Sequence, residues 1–288
     1  MKKYALFLFA FLPIMLVAQA TMKVWANDTV TEFDTRNIDS ITFVDLYPDP
    51  IVGSYAYGAD CSWISEQEAD GVLFYDSLGQ ATDGMRVMRD AGMNAVRLRV
   101  WVNHTTGWSN KPDVVRNAKR ADSLKLRVMI DFHYSDFFAD PSRQNIPVDW
   151  ADYDFTQMKQ AVADHTVDVL STLKAEGVTP EWIQVGNETR SGMLWPMGRF
   201  QDENGEIAGG WVNYAQLTTA GYDACKSVFP DAQVIVHIDN AYLDNNWFYR
   251  TLQQNGGKFD MINNESVVKG YRDAVLKLKA GQVAAKVV

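Results

Sequence analysis

The chain has 288 residues, 47% hydrophobic and 22% charged, a composition that excludes disorder and supplies one large core. A net charge of -9 disfavours nucleic acid, anionic membranes and polyanionic substrates as partners, because the electrostatic energy opposes each of them. Neutral substrates remain. Cys61 and Cys225 are the only cysteines, which excludes a disulfide framework; we expect two buried free thiols, with a single bridge between them as the alternative.

Residues 1–20 have the pattern of an export signal. Two lysines precede an apolar stretch that ends in VAQA, a small-x-small cleavage signature. The stretch is short for a membrane span and contains Pro13, which disfavours a membrane anchor. We therefore predict a signal peptide cut after Ala20, release into a periplasm or the medium, and no membrane partner after cleavage.

Residues 21–52 predict a small β segment and a linker. Residues 22–44 alternate apolar and polar positions around an Asn-Asp turn, which predicts a hairpin followed by a short third strand. The sequence YPDP at 47–50 is typical of a linker, so the main domain is expected to begin near Gly53.

From residue 53 onwards, strand-like runs alternate with helix-like runs, a pattern typical of a parallel sheet. The predicted strands cover residues 54–60, 95–100, 127–133, 181–186, 233–237 and, more weakly, 259–262. The predicted helices cover residues 83–91, 112–123, 154–176 and 212–227. Either a TIM barrel or an open doubly wound sheet satisfies this alternation. Neither a GxGxxG motif nor a P-loop follows the first strand, which disfavours nucleotide binding.

Polar side chains gather at the ends of the predicted strands. They are Asp60, Arg97 and Arg99 with Trp101, His133 with Asp136, Asn187 with Glu188, and His237 with Asp239 and Asn240. In a barrel these strand ends converge on one rim, whereas an open sheet gathers only the residues beside one crevice. The distribution therefore favours a (β/α)8 TIM barrel with its site on that rim.

Glu188 follows the apolar run 182–185 and precedes Trp, Met and Leu residues. A carboxyl beside apolar rings at a barrel mouth has a raised pKa, as a general acid requires near neutral pH. Asn187 can hold a substrate hydroxyl, and Gly186 allows close backbone approach. Alternatively, Asn187 caps the next helix and Glu188 interacts with its dipole. The sequence NET is also a glycosylation sequon, which we disfavour because it follows a buried strand.

Five motifs in order, GADCSWISEQE, NAVRLRVWVN, DFHYSDFFADP, PEWIQVGNETRSGMLWP and VIVHIDNA, resemble glycoside hydrolase family 53 over residues 53–262. These are the arabinogalactan endo-β-1,4-galactanases of the clan A barrel hydrolases. The resemblance implies a (β/α)8 barrel, no cofactor, and retaining hydrolysis of β-1,4-galactan in type I arabinogalactan and pectin side chains.

By the same resemblance, Glu188 is the acid/base catalyst and Asn187 binds the sugar 2-hydroxyl. Arg97 corresponds to the arginine that orients the nucleophilic carboxylate. The further positions that match the cleft are Asp60, Trp101, His133, Trp195, His237, Asp239 and Asn240. A hydrogen-bonded structural role is the alternative for each histidine, and packing under a lid is the alternative for each tryptophan.

The sequence also departs from the family pattern. Phe138 stands where the family usually has Trp, and HIDNA replaces the commoner HLDNG. The family's nucleophile is a Glu on the seventh strand, but residues 263–288 show no seventh or eighth strand, only helical spacing over 267–278. Glu265 is the one Glu there and does not match the nucleophile motif. The calcium associated with bacterial members belongs to a late loop without a match, so we predict no metal.

These observations predict a secreted retaining endo-β-1,4-galactanase whose barrel lacks its last two units and whose nucleophile is unknown, so the activity of this exact chain is left open. One alternative is a truncated, non-catalytic galactan-binding remnant. Another is a clan A hydrolase of a different β-linked polysaccharide, such as mannan or xylan. The oligomeric state is left open.

Overall fold

The computed structural model describes residues 21–26, 29–37, 55–239 and 245–262. The predicted signal peptide, linker, third short strand and tail helix, together with the site candidates Asn240 and Glu265, lie outside the described residues. The chain divides into two compact units, Met1–Leu46 and Tyr47–Val288. Within the described ranges, every helix is too short or too polar to cross a membrane.

The first unit contains the expected β-hairpin. Strands β1 (Thr21–Ala26) and β2 (Thr29–Asp34) pair antiparallel, with Thr21 opposite Asp34 and Ala26 opposite Thr29. The turn that the sequence predicts between them, at residues 27 and 28, lies outside the described residues. A 3-10 turn over Thr35–Asn37 follows, in which Arg36 pairs with Asp34.

The second unit is an α/β structure. Its described strands are β3 (Gly58–Asp60), β4 (Phe74–Tyr75), β5 (Ala81–Thr82), β6 (Ala95–Val100), β7 (Arg127–Phe132), β8 (Trp182–Val185), β9 (Gly192–Met193), β10 (Gly198–Arg199), β11 (Gln201–Asp202), β12 (Gly205–Glu206), β13 (Gln233–Val236) and β14 (Met261–Ile262). Its described helices are α1 (Ile64–Ala69), α2 (Gly84–Asp90), α3 (Lys111–Ser123), α4 (Phe155–Ala175), α5 (Gly210–Val228) and α6 (Asn246–Gln254), with a 3-10 turn at Val148–Trp150.

One six-stranded parallel sheet organises this unit, in the order β3-β6-β7-β8-β13-β14. Each crossover between neighbouring strands contains at least one helix, as parallel pairing requires. The strands therefore lie side by side in chain order, whereas a doubly wound sheet reverses its order at a switch point. Strand order thus favours the barrel over the open sheet. The short hairpins β4–β5, β9–β10 and β11–β12 are inserted in the crossovers.

Capping side chains explain where two of the predicted helices begin. The Asp83 carboxylate accepts a hydrogen bond from the Arg86 backbone N–H at the start of α2. At the start of α4, Asp154 and Gln157 form a reciprocal capping box, which satisfies two otherwise unpaired backbone donors. These local signals fix helix ends that apolar spacing alone leaves uncertain by several residues.

The two faces of the sheet differ in polarity. One face is apolar and fully buried under the helices, through Val96, Leu98 and Val100 on β6 and through the corresponding residues of β7, β8 and β13. Alternate positions on the other face carry Arg97, Arg99, Asp131 and Gln184. The fold therefore places charged and amide side chains on this second face, where they need hydrogen-bond partners.

Candidate active site

A cavity of about 420 Å³ lies at the carboxyl ends of β6, β7, β8 and β13. It is lined by five predicted site residues, Arg97, His133, Asn187, Glu188 and His237, together with Arg99, Phe138, Ala139, Asp140 and Arg143. The structure thus brings together side chains that lie up to 140 positions apart in sequence.

Asp131 organises the floor of this cavity. Its carboxylate has no solvent exposure and pairs with the Arg97 guanidinium, while the Gln184 amide donates to its other oxygen. Burial alone raises the pKa of the Asp131 carboxyl, but the charges of Arg97 and its other neighbours outweigh this effect and hold it below its usual value. The Asp131 carboxylate is therefore ionised at neutral pH and holds the Arg97 guanidinium in place through their ion pair.

Arg97 carries three contacts that define its position. Its guanidinium donates to Asp60 Oδ2 at 2.7 Å and to Asn187 Oδ1 at 2.8 Å, in addition to its pair with Asp131. Asp60 thus reaches the site through Arg97 and does not lie on the wall of the cavity. This geometry matches an arginine that positions its neighbours by planar, multidentate hydrogen bonding.

Hydrogen bonding fixes the tautomer of His133. The Ala139 backbone N–H donates to Nδ1 at 3.0 Å, so that nitrogen carries no proton. The proton of the neutral ring is therefore on Nε2, which donates to Asp131 Oδ2 at 2.9 Å. His133 is 2% exposed and links the cavity wall to the buried carboxylate.

Asn187 is held by both ends of its amide. Its Oδ1 accepts from Arg97 and, at 3.2 Å, from Gln184, while its Nδ2 donates to the Ala139 carbonyl at 2.8 Å. A primary amide has two N–H donors, so the second N–H is the group that can reach a substrate. The alternative in which Asn187 caps a helix is wrong, because the next helix, α5, begins only at Gly210.

The backbone turns sharply at the end of β8. Gly186 has a φ of +80°, and a Cβ there would lie 2.8 Å from a Thr189 methyl carbon, so glycine is required. Glu188 also has a positive φ, +50°, which is uncommon for a side chain with a Cβ and is often found at functional sites. Asn187 and Glu188 of this turn both line the cavity.

The carboxyl group of Glu188 has a raised pKa. Burial is the largest cause, followed by the negative charges of Asp239 and Asp140, while Arg97 acts in the opposite direction. The protonated form is thus favoured to a higher pH than for an ordinary glutamate, as a general acid requires. The pKa of Glu188 is thus shifted in the direction that the sequence analysis expects for a general acid.

His237 supports the backbone of the same turn. Its Nδ1 lies 3.2 Å from the Glu188 backbone nitrogen and 3.1 Å from Asn187 Oδ1. An unprotonated Nδ1 accepts from Glu188, whereas a protonated Nδ1 donates to Asn187, so each tautomer makes one of the two bonds. Burial lowers the pKa of His237 to about 4, which keeps the ring neutral at neutral pH.

The other predicted site residues lie elsewhere. Trp101 is 2% exposed in an aromatic cluster with His104, Phe137 and Phe138, and does not line the cavity. Trp195 packs under the Arg199 guanidinium, 4.1 Å from its ring centroid, also away from the wall. Asp239 pairs with Arg190 at 3.3 Å and acts on Glu188 through its charge.

Sequence reasoning missed Asp131, Gln184, Arg143 and Asp140. The first two interrupt apolar strands on the same face as Arg97, and a charged or amide side chain inside such a strand was the available signal. Phe138, which stands in place of the family's tryptophan, lines the cavity and contacts His133 at a ring distance of 5.9 Å. Both cysteines are buried and unpaired. Among the described residues, no cluster of His, Cys, Asp or Glu is suited to a metal ion.

A second, larger groove of about 800 Å³ is lined by residues of all six parallel strands, including Arg127, Met129 and Trp182. It shares Arg97 and has Asp60 on its wall, but it does not reach Glu188. Glu188 and His237, whose pKa values are both shifted, line the smaller cavity, and the buried Asp131 pairs with Arg97 on its wall, so the smaller cavity is the candidate active site.

A parallel β/α sheet with strands in chain order and a polar site at its carboxyl edge is typical of the (β/α)8 barrel class of enzymes. The chain belongs to glycosyl hydrolase family 53, whose model matches residues 56–278. The matched span continues past Ile262 into residues outside the described ranges.

Curated relatives include an arabinogalactan endo-β-1,4-galactanase of Thermothelomyces thermophilus, 33% identical over 71% of this chain and 61% of its own length. The corresponding enzyme of Cellvibrio japonicus is 34% identical over 69% of this chain and 53% of its own.

Two solved structures support the barrel fold. A fungal β-1,4-galactanase has a TM-score of 0.65 and 34% identity, with 72% of this chain and 62% of that chain covered. The family 53 catalytic domain of Ignisphaera aggregans has a TM-score of 0.63 and 29% identity, with 74% and 61% covered. The chain thus spans about three fifths of the length of the relatives it matches.

Proposed function

We propose that this protein is a retaining endo-β-1,4-galactanase that hydrolyses the β-1,4-galactan of type I arabinogalactan and pectin side chains. The observation that carries the proposal is Glu188, a carboxyl with a raised pKa that is held on a cavity wall next to Asn187. Membership of the family and the names of its galactanase relatives support the same reaction and substrate class.

In this mechanism, protonated Glu188 donates its proton to the glycosidic oxygen as the bond to the leaving sugar breaks. The resulting carboxylate then takes a proton from the water that completes the reaction. The free N–H of Asn187 donates to a hydroxyl of the sugar at the reacting centre. Three further residues hold the site in place and take no part in the bond changes: Asp131, Arg97 and His133. Arg97 holds Asn187, and Asp131 holds Arg97 and His133 on the wall of the cavity.

Retention of configuration requires a second carboxylate about 5–5.5 Å from the first. By the family resemblance this nucleophile is a Glu on the seventh strand of an eight-unit barrel. We propose that the six described parallel strands belong to such a barrel, with Arg97 oriented toward the nucleophile's side of the cavity. Among the described residues none matches the family's nucleophile, whose identity in this chain is left open.

Hydrolysis of linear β-1,4-galactan by the purified chain tests the proposal, with β-mannan and xylan assayed in parallel. We expect release of reducing ends from galactan, internal cleavage on product sizing, and retained anomeric configuration in the first products observed by NMR. Activity on mannan or xylan alone would contradict the substrate assignment. Binding of galactan without hydrolysis would contradict the enzymatic assignment.

The role of Glu188 is tested separately by Glu188→Ala. Galactan turnover should fall by about 10²–10⁴-fold, the usual contribution of a general acid/base. Azide should restore turnover of an aryl β-galactoside, because a good leaving group needs no acid and a small anion needs no base. The matched control is Glu206→Ala at an exposed hairpin position, which should leave both rates unchanged.

We propose further that the protein is exported, on the strength of the leader pattern in residues 1–20. Expression of the full chain in a bacterial host should yield a periplasmic or secreted product whose amino-terminal residue is Thr21. Retention of the intact leader on a cytoplasmic product would contradict this proposal.

A further inference from the structure

Trp63 has a position that neither its helix nor the core explains. It is the residue before α1, yet its side chain makes no capping hydrogen bond, and small polar residues are preferred at that position. The residue is also 41% exposed, so it is not part of the buried core. A large aromatic side chain is therefore kept at a surface position where the fold gains little from it.

The Trp63 indole is nonetheless fixed. The Arg99 guanidinium lies 4.4 Å from its ring centroid, and the Phe138 ring is 5.6 Å away at a tilted angle. Arg99 is itself 3% exposed and anchored by its Nε, which donates to Ser109 Oγ at 3.1 Å. One side of the indole is thus supported by a buried, immobile cation, which leaves the ring rigid before any ligand arrives.

Trp63 adjoins the active-site cavity. Both residues that support it, Arg99 and Phe138, line that cavity with Glu188 and Asn187. An exposed aromatic ring beside Phe138 extends the cavity wall outward as a flat apolar surface. Such a surface suits the C–H face of a pyranose ring, and a neutral sugar matches the net charge of -9 better than an anionic ligand does.

We propose that Trp63, backed by Arg99 and Phe138, forms an additional sugar-binding subsite that holds a β-linked sugar unit of the polysaccharide just outside the catalytic cavity. The inference rests on the proposed function for the identity of the polysaccharide, galactan. The inference adds that Trp63 increases the affinity of the chain for long substrates. The affinity for short substrates, which occupy only the cavity, does not depend on Trp63.

Kinetics on substrates of different length test this subsite. Trp63→Ala should raise KM for linear β-1,4-galactan by about tenfold, the effect of losing one aromatic anchor, with kcat nearly unchanged. The same variant should hydrolyse a short aryl β-galactoside at the parent rate. Trp63→Phe keeps an aromatic surface and should recover most of the lost affinity, which a role in folding alone does not require.

Trp247→Ala is the matched control, since Trp247 is 53% exposed and contacts Trp211 and Phe248, none of which lines the cavity. It should leave KM unchanged. An equal loss for Trp63→Ala on galactan and on the aryl galactoside, or no loss on either, would overturn the subsite.

Affinity electrophoresis separates this inference from the proposed function. Gels containing galactan or mannan should retard the parent chain more than Trp63→Ala, whether or not the polysaccharide is hydrolysed. A parent that is retarded without hydrolysis refutes the proposed activity and still tests Trp63 through the variant. A parent that no polysaccharide retards, or a variant retarded equally, overturns the subsite.

Discussion

Glu188 has its chemical character because of neighbours that are distant in sequence. Burial raises the pKa of its carboxyl, and Asp239, 51 positions further along the chain, raises it further through its negative charge. Asp239 is held by Arg190, two residues after Glu188, so the two strand ends that carry these carboxylates are tied together. Glu188 and Asp239, which raises its pKa, are thus held near each other by the Arg190–Asp239 ion pair.

Asp239→Asn tests this coupling. Glu188 must be protonated to act as an acid, so the alkaline limb of the kcat/KM profile reports its pKa. Removing the negative charge of Asp239 lowers that pKa, and the alkaline limb should move to lower pH. Asp202→Asn, on the distant β11–β12 hairpin, should leave the profile unchanged. A limb that stays in place or moves upward in Asp239→Asn would contradict the coupling.

Asp131→Asn tests the buried anion beneath the site. The substitution leaves the Arg97 guanidinium with one carboxylate partner, Asp60, and forces the Nε2 proton of His133 to face an amide. Loss of one member of a buried ion pair costs about 3–5 kcal/mol, and we expect the lower end because Asp60 remains. Urea unfolding measures the change, with the exposed Asp122→Asn as control. A loss of unfolding free energy similar to that of Asp122→Asn would show that Asp131 does not stabilise the fold by this amount.

The site residues that the sequence predicts are those at strand ends, because an ending strand followed by a polar residue is visible in a local window. Asp131 and Gln184 lie within strands, and their partner Arg97 is 34 and 87 positions away, so a local pattern marks them as unusual but does not show what they contact. Trp101 shows the opposite case. Its place after a strand suggests a rim residue, but the aromatic residues that bury it follow a different strand.

At the scale of elements, α4 contacts β7 through a partly buried histidine, His165. The ring of His165 contacts Phe132, Tyr134 and Trp150, and its Nε2 has no hydrogen-bond partner among the described residues. Burial lowers the pKa of His165 to about 4; the nearby Asp168 charge raises it and Lys111 lowers it by smaller amounts. The contact between α4 and the sheet therefore includes the imidazole ring of His165, which stays neutral at neutral pH.

His165 should make stability depend on pH. Its pKa is about 6.5 in the unfolded chain and about 4 in the folded protein, so the unfolded state binds a proton first as the pH falls. The free energy of unfolding should decrease from pH 6.5 to pH 4 by up to about 3 kcal/mol from this residue and then level off. Urea unfolding of the parent and of His165→Phe should show a shallower slope in the variant. Equal slopes would contradict the assignment.

The hairpin β1–β2 belongs to the first compact unit and supplies none of the residues of the cavity. A chain that begins at Tyr47 should therefore hydrolyse soluble galactan within a few-fold of the parent rate. Thermal unfolding of the second unit should occur at the same temperature in both chains. A large loss of rate with unfolding unchanged would mean that the hairpin shapes the site.

Strands and long helices are predictable here because their periodicities are strong and their ends carry signals. The six parallel strands and α2 to α5 lie where the sequence predicts them, with bounds that differ by a few residues. The short hairpins β4–β5, β9–β10 and β11–β12, with α1 and α6, are not predicted. Two-residue strands have no periodicity, and the six residues of α1 follow a tryptophan whose side chain makes no capping hydrogen bond.

For the whole molecule, net charge constrains the substrate beyond the cavity. The cavity wall carries Arg97, Arg99 and Arg143 beside Asp140 and Glu188, so its local charges are largely balanced. The chain as a whole carries -9 and repels a polyanion at a distance. Galactan attached to a uronate-rich backbone should therefore meet an electrostatic barrier that free galactan does not meet.

Ionic strength tests this barrier on the intact protein. The Debye length falls from about 30 Å at 0.01 M salt to about 8 Å at 0.15 M, so added salt screens the long-range repulsion and leaves short contacts in the cavity. KM for galactan that still carries its uronate backbone should fall about twofold or more over this range, because association is no longer opposed. KM for linear, uronate-free galactan should stay constant and serves as the control. A KM for the charged substrate that rises with salt would mean that the cavity arginines attract the uronates and outweigh the net charge of the chain.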